Sequence, residues 1–190
     1  MEKVYTTGAH FDKQDFTAMP LPAGEYEQCT FTHCNFSAVN LTDYIFADCT
    51  FKECNLSTVV LNNTAFRNVT FTHCKMLGMH MERCNPFLLE VAFSHCLLSL
   101  STFYRLQLKK TKFSHCILHE CDFTETDLTQ AVLEECDLAG AVFDHSILVK
   151  ADLSTSINYT IDPELNSIKG AKFSLHGLPG LLGRYGIEIH

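Results

Sequence analysis

Large apolar residues recur at every fifth position along most of this chain. A first run has no exception: Phe11, Phe16, Leu21, Tyr26, Phe31, Phe36, Leu41, Phe46, Phe51, Leu56, Leu61, Phe66, Phe71, Met76 and Met81. After a shift of two residues near Pro86, a second run follows: Leu88, Phe93, Leu98, Phe103, Leu108, Phe113, Leu118, Phe123, Leu128, Leu133, Leu138, Phe143, Leu148 and Leu153. We call these residues the repeat centres. A period of five fits neither an amphipathic α-helix nor an ordinary β-strand.

The position two residues before each centre is the second regular feature. All ten cysteines occupy it once the frame of the first run is continued past Met81 to Cys84, and most of the remaining residues there are small or apolar. A chain that turns a corner every five residues closes a square after twenty. We therefore expect the centre and this second residue to face inward. Residues 11–153 should make about seven coils, stacked about 4.8 Å apart into a rod about 20 Å wide. The weaker pattern at Ile168 and Phe173 predicts one further, irregular coil.

Several triplets carry a recognisable motif, among them Cys34-Asn35-Phe36, Cys54-Asn55-Leu56 and Ala151-Asp152-Leu153. They resemble the pentapeptide-repeat family, whose motif is a small residue, then Asn, Asp, Ser or Thr, then Leu or Phe, then two variable residues. The resemblance covers about residues 9–155. It implies an all-β fold, the right-handed quadrilateral parallel β-helix. We expect residues 1–155 to form this solenoid, with its frame slip near 82–88. Residues 156–190 should form the irregular coil and a cap, with a short apolar helix over 178–182 and a half-buried strand over 185–189.

Four His-Cys pairs occur in near-identical stretches, beginning with Phe31-Thr32-His33-Cys34 and returning at 71–74, 93–96 and 113–116. Adjacent His and Cys residues raise the possibility of a metal site. In the period-five register, however, His faces outward and Cys inward, so the two cannot share an ion. The chain also lacks the C-x-x-C spacing of zinc sites. We therefore expect free thiols, no metal, no cofactor, no catalytic residues and no enzymatic activity.

The composition also bears on location and partners. The N-terminal stretch has no apolar signal-peptide core, and no segment is apolar enough to span a membrane, so we expect a cytoplasmic protein without membrane contact. The net charge is −8, but residues 67–112 are basic and residues 113–149 carry eight acids without Lys or Arg. Direct nucleic-acid binding is not expected at this charge. Five acids at free outward positions form the candidate partner-binding surface: Glu120, Glu125, Glu134, Glu135 and Asp144. The alternative is solvated charge that maintains solubility.

The tail and several internal segments carry a narrower resemblance. Cys74-Lys75-Met76-Leu77-Gly78, Ala171-Lys172-Phe173 and the closing Gly186-Ile187-Glu188-Ile189 are similar to the Qnr, MfpA and AlbG-like branch, closest to the AlbG type. This resemblance implies a homodimer that mimics DNA, docks on bacterial DNA gyrase or topoisomerase IV, and protects it from quinolones or albicidin. The candidate dimer contact is Leu178, Leu181, Leu182, Tyr185, Ile187 and Ile189. A scaffolding role with a different protein partner remains the alternative.

Overall fold

The computed structural model describes residues 4–188, which form a parallel solenoid of about eight coils. Its regular elements are β1 (Val4–Thr7), β2 (His10–Asp12), β3 (Gly24–Glu27), β4 (Thr30–Thr32), β5 (Ile45–Ala47), β6 (Thr50–Lys52), β7 (Ala65–Arg67), β8 (Val69–Thr72), β9 (Val91–Ser94), β10 (Lys112–Ser114), β11 (Val132–Glu134), β12 (Asp152–Leu153), β13 (Lys172–Phe173) and α1 (Pro179–Leu182). Three 3-10 turns span Met81–Arg83, Leu175–Gly177 and Gly183–Tyr185. The fold predicted from the five-residue period is confirmed.

The coil has four faces, which we number in chain order from the strand that contains Phe11. The first face is a nine-stranded parallel sheet that runs from β2 to β13. The second face contains Phe16 and the third contains Leu21. On both faces, isolated parallel bridges join neighbouring coils, as between Asn35 and Asn55 on the second face. The fourth face begins with the four-stranded sheet of β1, β3, β5 and β7. Neighbouring coils are twenty residues apart over most of the rod, as the square geometry predicts.

A residue with left-handed backbone turns most corners, two positions after a centre. Ala38, for example, has φ 57°, and the preceding carbonyl of Phe36 accepts a hydrogen bond from Val39 N at 2.9 Å. This is the geometry of a tight turn with positive φ at its second central residue. Asn, Asp and His tolerate that conformation better than most residues, and His33 and Asn63 occupy such positions.

The centres stack as columns inside the rod. Phe51 is fully buried, with ring centroids 4.7 Å from Phe31 and 5.2 Å from Phe71 on the adjacent coils. On the third face, Phe103 and Phe123 stack at 5.0 Å. Burial of these rings is the main favourable contribution to the fold, and stacking adds a smaller one.

The second inward position satisfies a backbone carbonyl of the preceding coil. Cys54 Sγ lies 3.4 Å from the carbonyl oxygen of Phe31, and Thr126 Oγ1 donates to that of Phe103 at 2.8 Å. A thiol or a small hydroxyl therefore fills the same site, which explains why Cys, Thr and Ser alternate there. All ten cysteines are buried free thiols. Buried Cys packs as a small apolar residue with a weak S–H donor.

The frame slip interrupts the fourth face. On the first face Phe71 pairs with Phe93, so this coil is two residues longer than the others. On the fourth face the sheet ends at β7, and a separate ladder resumes where Gln107 pairs with Asp127. Residues 82–90 cross the gap between these two ladders.

The prediction that Leu88 is a repeat centre is wrong. Its φ is 58° and 62% of it is exposed, so it occupies a corner position. The first frame continues through Leu88, which lies twenty residues after the corner residue Asn68 and therefore on the corner between the fourth and first faces. The two extra residues follow it, since Val91 and not Leu89 pairs with Val69. Leu89, which is only partly buried, packs against the core instead.

The C-terminal segment forms the short apolar helix predicted for residues 178–182, observed as α1. The half-buried strand predicted for residues 185–189 is wrong in its described part. Tyr185 ends a 3-10 turn, and Gly186 follows with φ 60°. Arg184 pairs with Asp162 at 2.9 Å, and Tyr185 OH lies 3.1 Å from Glu164. These contacts to the preceding coil hold the turn in place. Ile189 lies outside the described residues.

Candidate partner-binding surface

The histidines of the repeated His-Cys pairs lie on the corner between the first and second faces. The rings of His73, His95 and His115 stack there with successive centroids 4.6 Å apart. The adjacent cysteines point inward, so the predicted separation of His from Cys is confirmed. Within residues 4–188, no group of three or more His, Cys, Asp or Glu side chains is placed to hold a metal ion.

The five candidate acids all point outward but do not form one patch. Glu134 and Glu135 lie at the corner between the first and second faces, and Glu120 lies at the next corner along the chain. Glu125 and Asp144 lie at the corner between the third and fourth faces. The structure thus distributes the acidic surface over three of the four corners of the rod.

Two of these carboxylates are paired with cations. Hydrogen bonds from Arg105 are the main reason that the pKa of Glu125 is below its ordinary value. For Glu134, the pKa is lowered first by Lys112 and then by Ser114, and Lys112 Nζ lies 3.0 Å from the carboxylate. Both groups remain ionised at neutral pH, but their fields are partly cancelled by the neighbouring cation.

The other three acids differ in their surroundings. Glu135 lies 3.1 Å from His115 Nδ1, and Asp144 lies 2.8 Å from His145 Nδ1. Glu120 is exposed and makes no ion pair within the described part of the chain. Glu120, Glu135 and Asp144 are therefore the candidate acids whose charge no Lys or Arg offsets at short range.

The acids just before each centre have a structural role, as their place in the motif predicts. Asp122 Oδ1 accepts a hydrogen bond from Thr124 N at 2.8 Å, and Asp127 Oδ1 accepts one from Thr129 N at 3.0 Å. Burial alone raises the pKa of Asp127, but the hydrogen bonds from Thr129 and from Lys109 outweigh it, so the pKa lies below its ordinary value. These carboxylates fasten the turn after each centre and contribute to the surface charge secondarily.

The lysines of the second half of the chain lie on one corner of the rod, an arrangement that the sequence analysis did not predict. Lys110 and Lys150 both have positive φ on the corner between the fourth and first faces, which holds none of the five candidate acids. The signal was present in the sequence, since residues whose numbers differ by multiples of twenty share a corner. Counting charge along the chain instead of around the coil concealed it.

The predicted dimer contact lies on the tail, and several of its side chains are accessible. Leu178, Tyr185 and Ile187 are 41%, 53% and 56% exposed. Leu182 is half-buried, and Leu181 packs against the core. The structure adds Leu175, 79% exposed, which the sequence pattern did not single out. No helix within residues 4–188 is long and apolar enough to cross a membrane.

A square parallel solenoid with inward Phe/Leu and Cys/Thr columns is the architecture of a pentapeptide-repeat protein. Two family models match this chain: "Pentapeptide repeat region" over residues 25–86 and "Pentapeptide repeats (8 copies)" over residues 121–157. Together they span over half of the sequence, and the chain belongs to the pentapeptide-repeat family. No curated protein matches it significantly.

Solved structures support the same fold. A trypsin-treated QnrB1 variant, described as a plasmid-mediated fluoroquinolone resistance protein, superposes with a TM-score of 0.64 at 16% identity over 97% of this chain and 99% of that one. A second QnrB1 variant gives 0.50 at 20% identity over the same shares. HetL from the cyanobacterium Nostoc sp. strain PCC 7120, described as a pentapeptide repeat protein involved in heterocyst differentiation regulation, gives 0.49 at 15% identity over 91% of this chain and 88% of that one, too low a score to add to the argument. Similarity at these identities concerns the fold alone.

Proposed function

We propose that this protein binds a bacterial type II topoisomerase, DNA gyrase or topoisomerase IV, at the surface that holds duplex DNA. Binding there would protect the enzyme in the cytoplasm from poisons of the quinolone or albicidin type. The observation that carries the proposal is the distribution of carboxylates over three corners of a rigid rod. A basic DNA-binding channel meets negative charge on several sides of a duplex, and a rod acidic on several corners reproduces that arrangement.

The charge density is compatible with mimicry. Residues 113–149 contribute eight acids over about two coils, or about 9 Å of axis at about 4.8 Å per coil. Duplex DNA carries one negative charge per about 1.7 Å of axis. Even with Glu125, Asp127 and Glu134 offset by Arg105, Lys109 and Lys112, the remaining five acids approach that density.

The exposed tail supports a homodimer as part of this proposal. Leu175, Leu178 and Tyr185 would otherwise leave apolar surface in water at the end of the rod. Pairing through the tail would place two acidic blocks on either side of one contact and extend the charged rod. Light scattering should give twice the chain mass, and Leu178→Glu with Tyr185→Glu should return the monomer mass while circular dichroism stays unchanged.

Gyrase supercoiling, with and without a quinolone or albicidin, tests the proposal. The wild-type protein should inhibit supercoiling or relieve the drug's effect. Glu120→Gln with Glu135→Gln should weaken this effect, because these acids have no Lys or Arg partner. The matched control is Thr129→Lys with Gln130→Lys, which changes the net charge equally but at the corner without candidate acids. Equal effects of both variants would reduce the proposal to a general charge effect, and inactive wild-type protein would refute it.

A scaffolding role is the second candidate. The pairing of Glu125 with Arg105 and of Glu134 with Lys112 favours it, because a DNA mimic gains nothing from cations on its acidic corners. A wild-type protein that is folded and dimeric but has no effect on either topoisomerase would support this second role.

A further inference from the structure

The lysines of the second half of the rod are gathered on one corner. All six lysines after residue 100 lie within two positions of the left-handed residues at the junction of the fourth and first faces. We call this set the lysine corner: Lys109, Lys110, Lys112, Lys150, Lys169 and Lys172. Since stacked coils are about 4.8 Å apart, the set extends about 14 Å along the axis.

Half of the lysine corner is neutralised at its margins. Lys109 pairs with Asp127 at 3.2 Å, Lys112 with Glu134 at 3.0 Å and Lys172 with Asp152 at 2.8 Å. Lys110 and Lys150, which lie on the corner itself, form no ion pair with any residue between 4 and 188, and the same holds for Lys169. These three lysines therefore form a line of positive charge along the lysine corner, with paired acids on both sides of it.

An open cleft of about 510 Å³ adjoins one end of the lysine corner. It forms where residues 82–90 interrupt the fourth face. Leu88 and Leu89 form an apolar wall, Lys109, Lys110 and Lys112 form a basic wall, and Glu90 is the only acid among the lining residues. Next to the cleft, Phe87 is 67% exposed.

We propose that the cleft and the adjoining lysine corner bind an acidic segment of a protein partner that also carries apolar side chains. Lys110, the lysine of the basic wall that is unpaired among residues 4–188, is complementary to a carboxylate. The exposed Leu88, beside the partly buried Leu89, accepts an apolar side chain, which phosphate groups cannot supply. The bordering acids favour a narrow partner, because a nucleic acid laid along the corner would bring phosphates close to Asp127, Glu134 and Asp152. None of the five candidate acids lines the cleft, so the inference does not depend on the proposed function.

Fluorescence anisotropy tests the inference with a labelled short peptide of Asp and Leu residues. The wild-type protein should bind it, and a Lys-Leu peptide of equal length should not bind. Lys110→Gln with Leu88→Ser should weaken binding about tenfold or more, as expected when one charged and one apolar contact are lost.

The matched control is Lys52→Gln with Leu100→Ser. Leu100 is 62% exposed at a left-handed corner, as Leu88 is, but neither control residue lines the cleft. Unchanged affinity in the control with loss in the cleft variant supports the inference. Equal affinity in all three proteins, no binding by the wild type, or tighter binding of a single-stranded DNA oligonucleotide that the cleft variant loses would each overturn it.

Discussion

The guanidinium of Arg105 donates two hydrogen bonds to the carboxylate of Glu125, which lies twenty residues later on the next coil. Nε is 2.7 Å from Oε2, and Nη2 is 3.1 Å from Oε1. This two-point contact fixes the guanidinium plane and places a positive charge on an acidic corner. It also identifies a residue whose removal should strengthen the acidic surface.

Replacing Arg105 with Gln should therefore increase inhibition of gyrase, if the acidic corners bind that enzyme. The free Glu125 carboxylate adds negative charge at an unchanged backbone position. The midpoint of inhibition in a supercoiling titration measures the effect. Arg83→Gln is the control, since Arg83 contacts Glu82 only at 3.8 Å and lies in the ladder interruption. Weaker inhibition by the Arg105 variant than by the wild type would contradict the prediction.

Phe51→Ala should lower the free energy of unfolding by about 3–5 kcal/mol, because it leaves a cavity between two stacked rings. Phe51→Leu should cost less, since leucine fills the same column at Leu133 and Leu153. Denaturant titrations followed by circular dichroism give both values. Equal losses for the two variants would show that ring stacking, rather than filled volume, dominates this column.

Thr126→Val should cost about 1 kcal/mol, the net value of one buried neutral hydrogen bond. The substitution keeps the shape of the side chain but removes the hydroxyl that bonds to the Phe103 carbonyl. Thr124→Val is the control on the same coil, because its side chain points outward, and it should change stability little. A similar loss in both variants would argue against the inward hydroxyl as the cause.

Asp152 gives a prediction for acid stability. Hydrogen bonds from Lys172 and Ser154 lower its pKa from 3.8 to about 2. Because the folded-state pKa is depressed, the contribution to stability is present above about pH 4 and is lost as the pH falls through about 2. Lys172→Met should move this loss to higher pH in melting temperatures measured as a function of pH. Lys169→Met, on the same corner without such a partner, should leave the profile unchanged. A shift in both variants would indicate general charge repulsion.

Most of the solenoid followed from the sequence because a period of five admits few backbone solutions. Every centre from Phe16 to Leu153 except Leu88 is buried. Leu88 failed because apolar character alone cannot show where an insertion is absorbed, and an extra pair of residues permits more than one register. The predicted strand at Tyr185 failed because Arg184 and Glu164 form contacts that depend on packing of the tail against the rod.

The candidate surface was predicted only in part. Period and motif correctly separated the outward Glu120 from the turn-forming Asp122. They could not predict the contact of Glu134 with Lys112, because that pairing depends on side-chain conformations across coils. The distribution of charged residues over the four corners could have been predicted from the sequence, because residues twenty apart occupy the same corner.

The left-handed corner residues have a further consequence for how this protein can vary. Because backbone hydrogen bonds fix both their conformation and their spacing, a corner side chain can be exchanged without moving its neighbours, provided that it tolerates positive φ. Each corner then offers one variable surface position per coil, and the charge at each position can change independently. A new partner surface can therefore evolve by single substitutions on the outside of the rod, while the core stays the same.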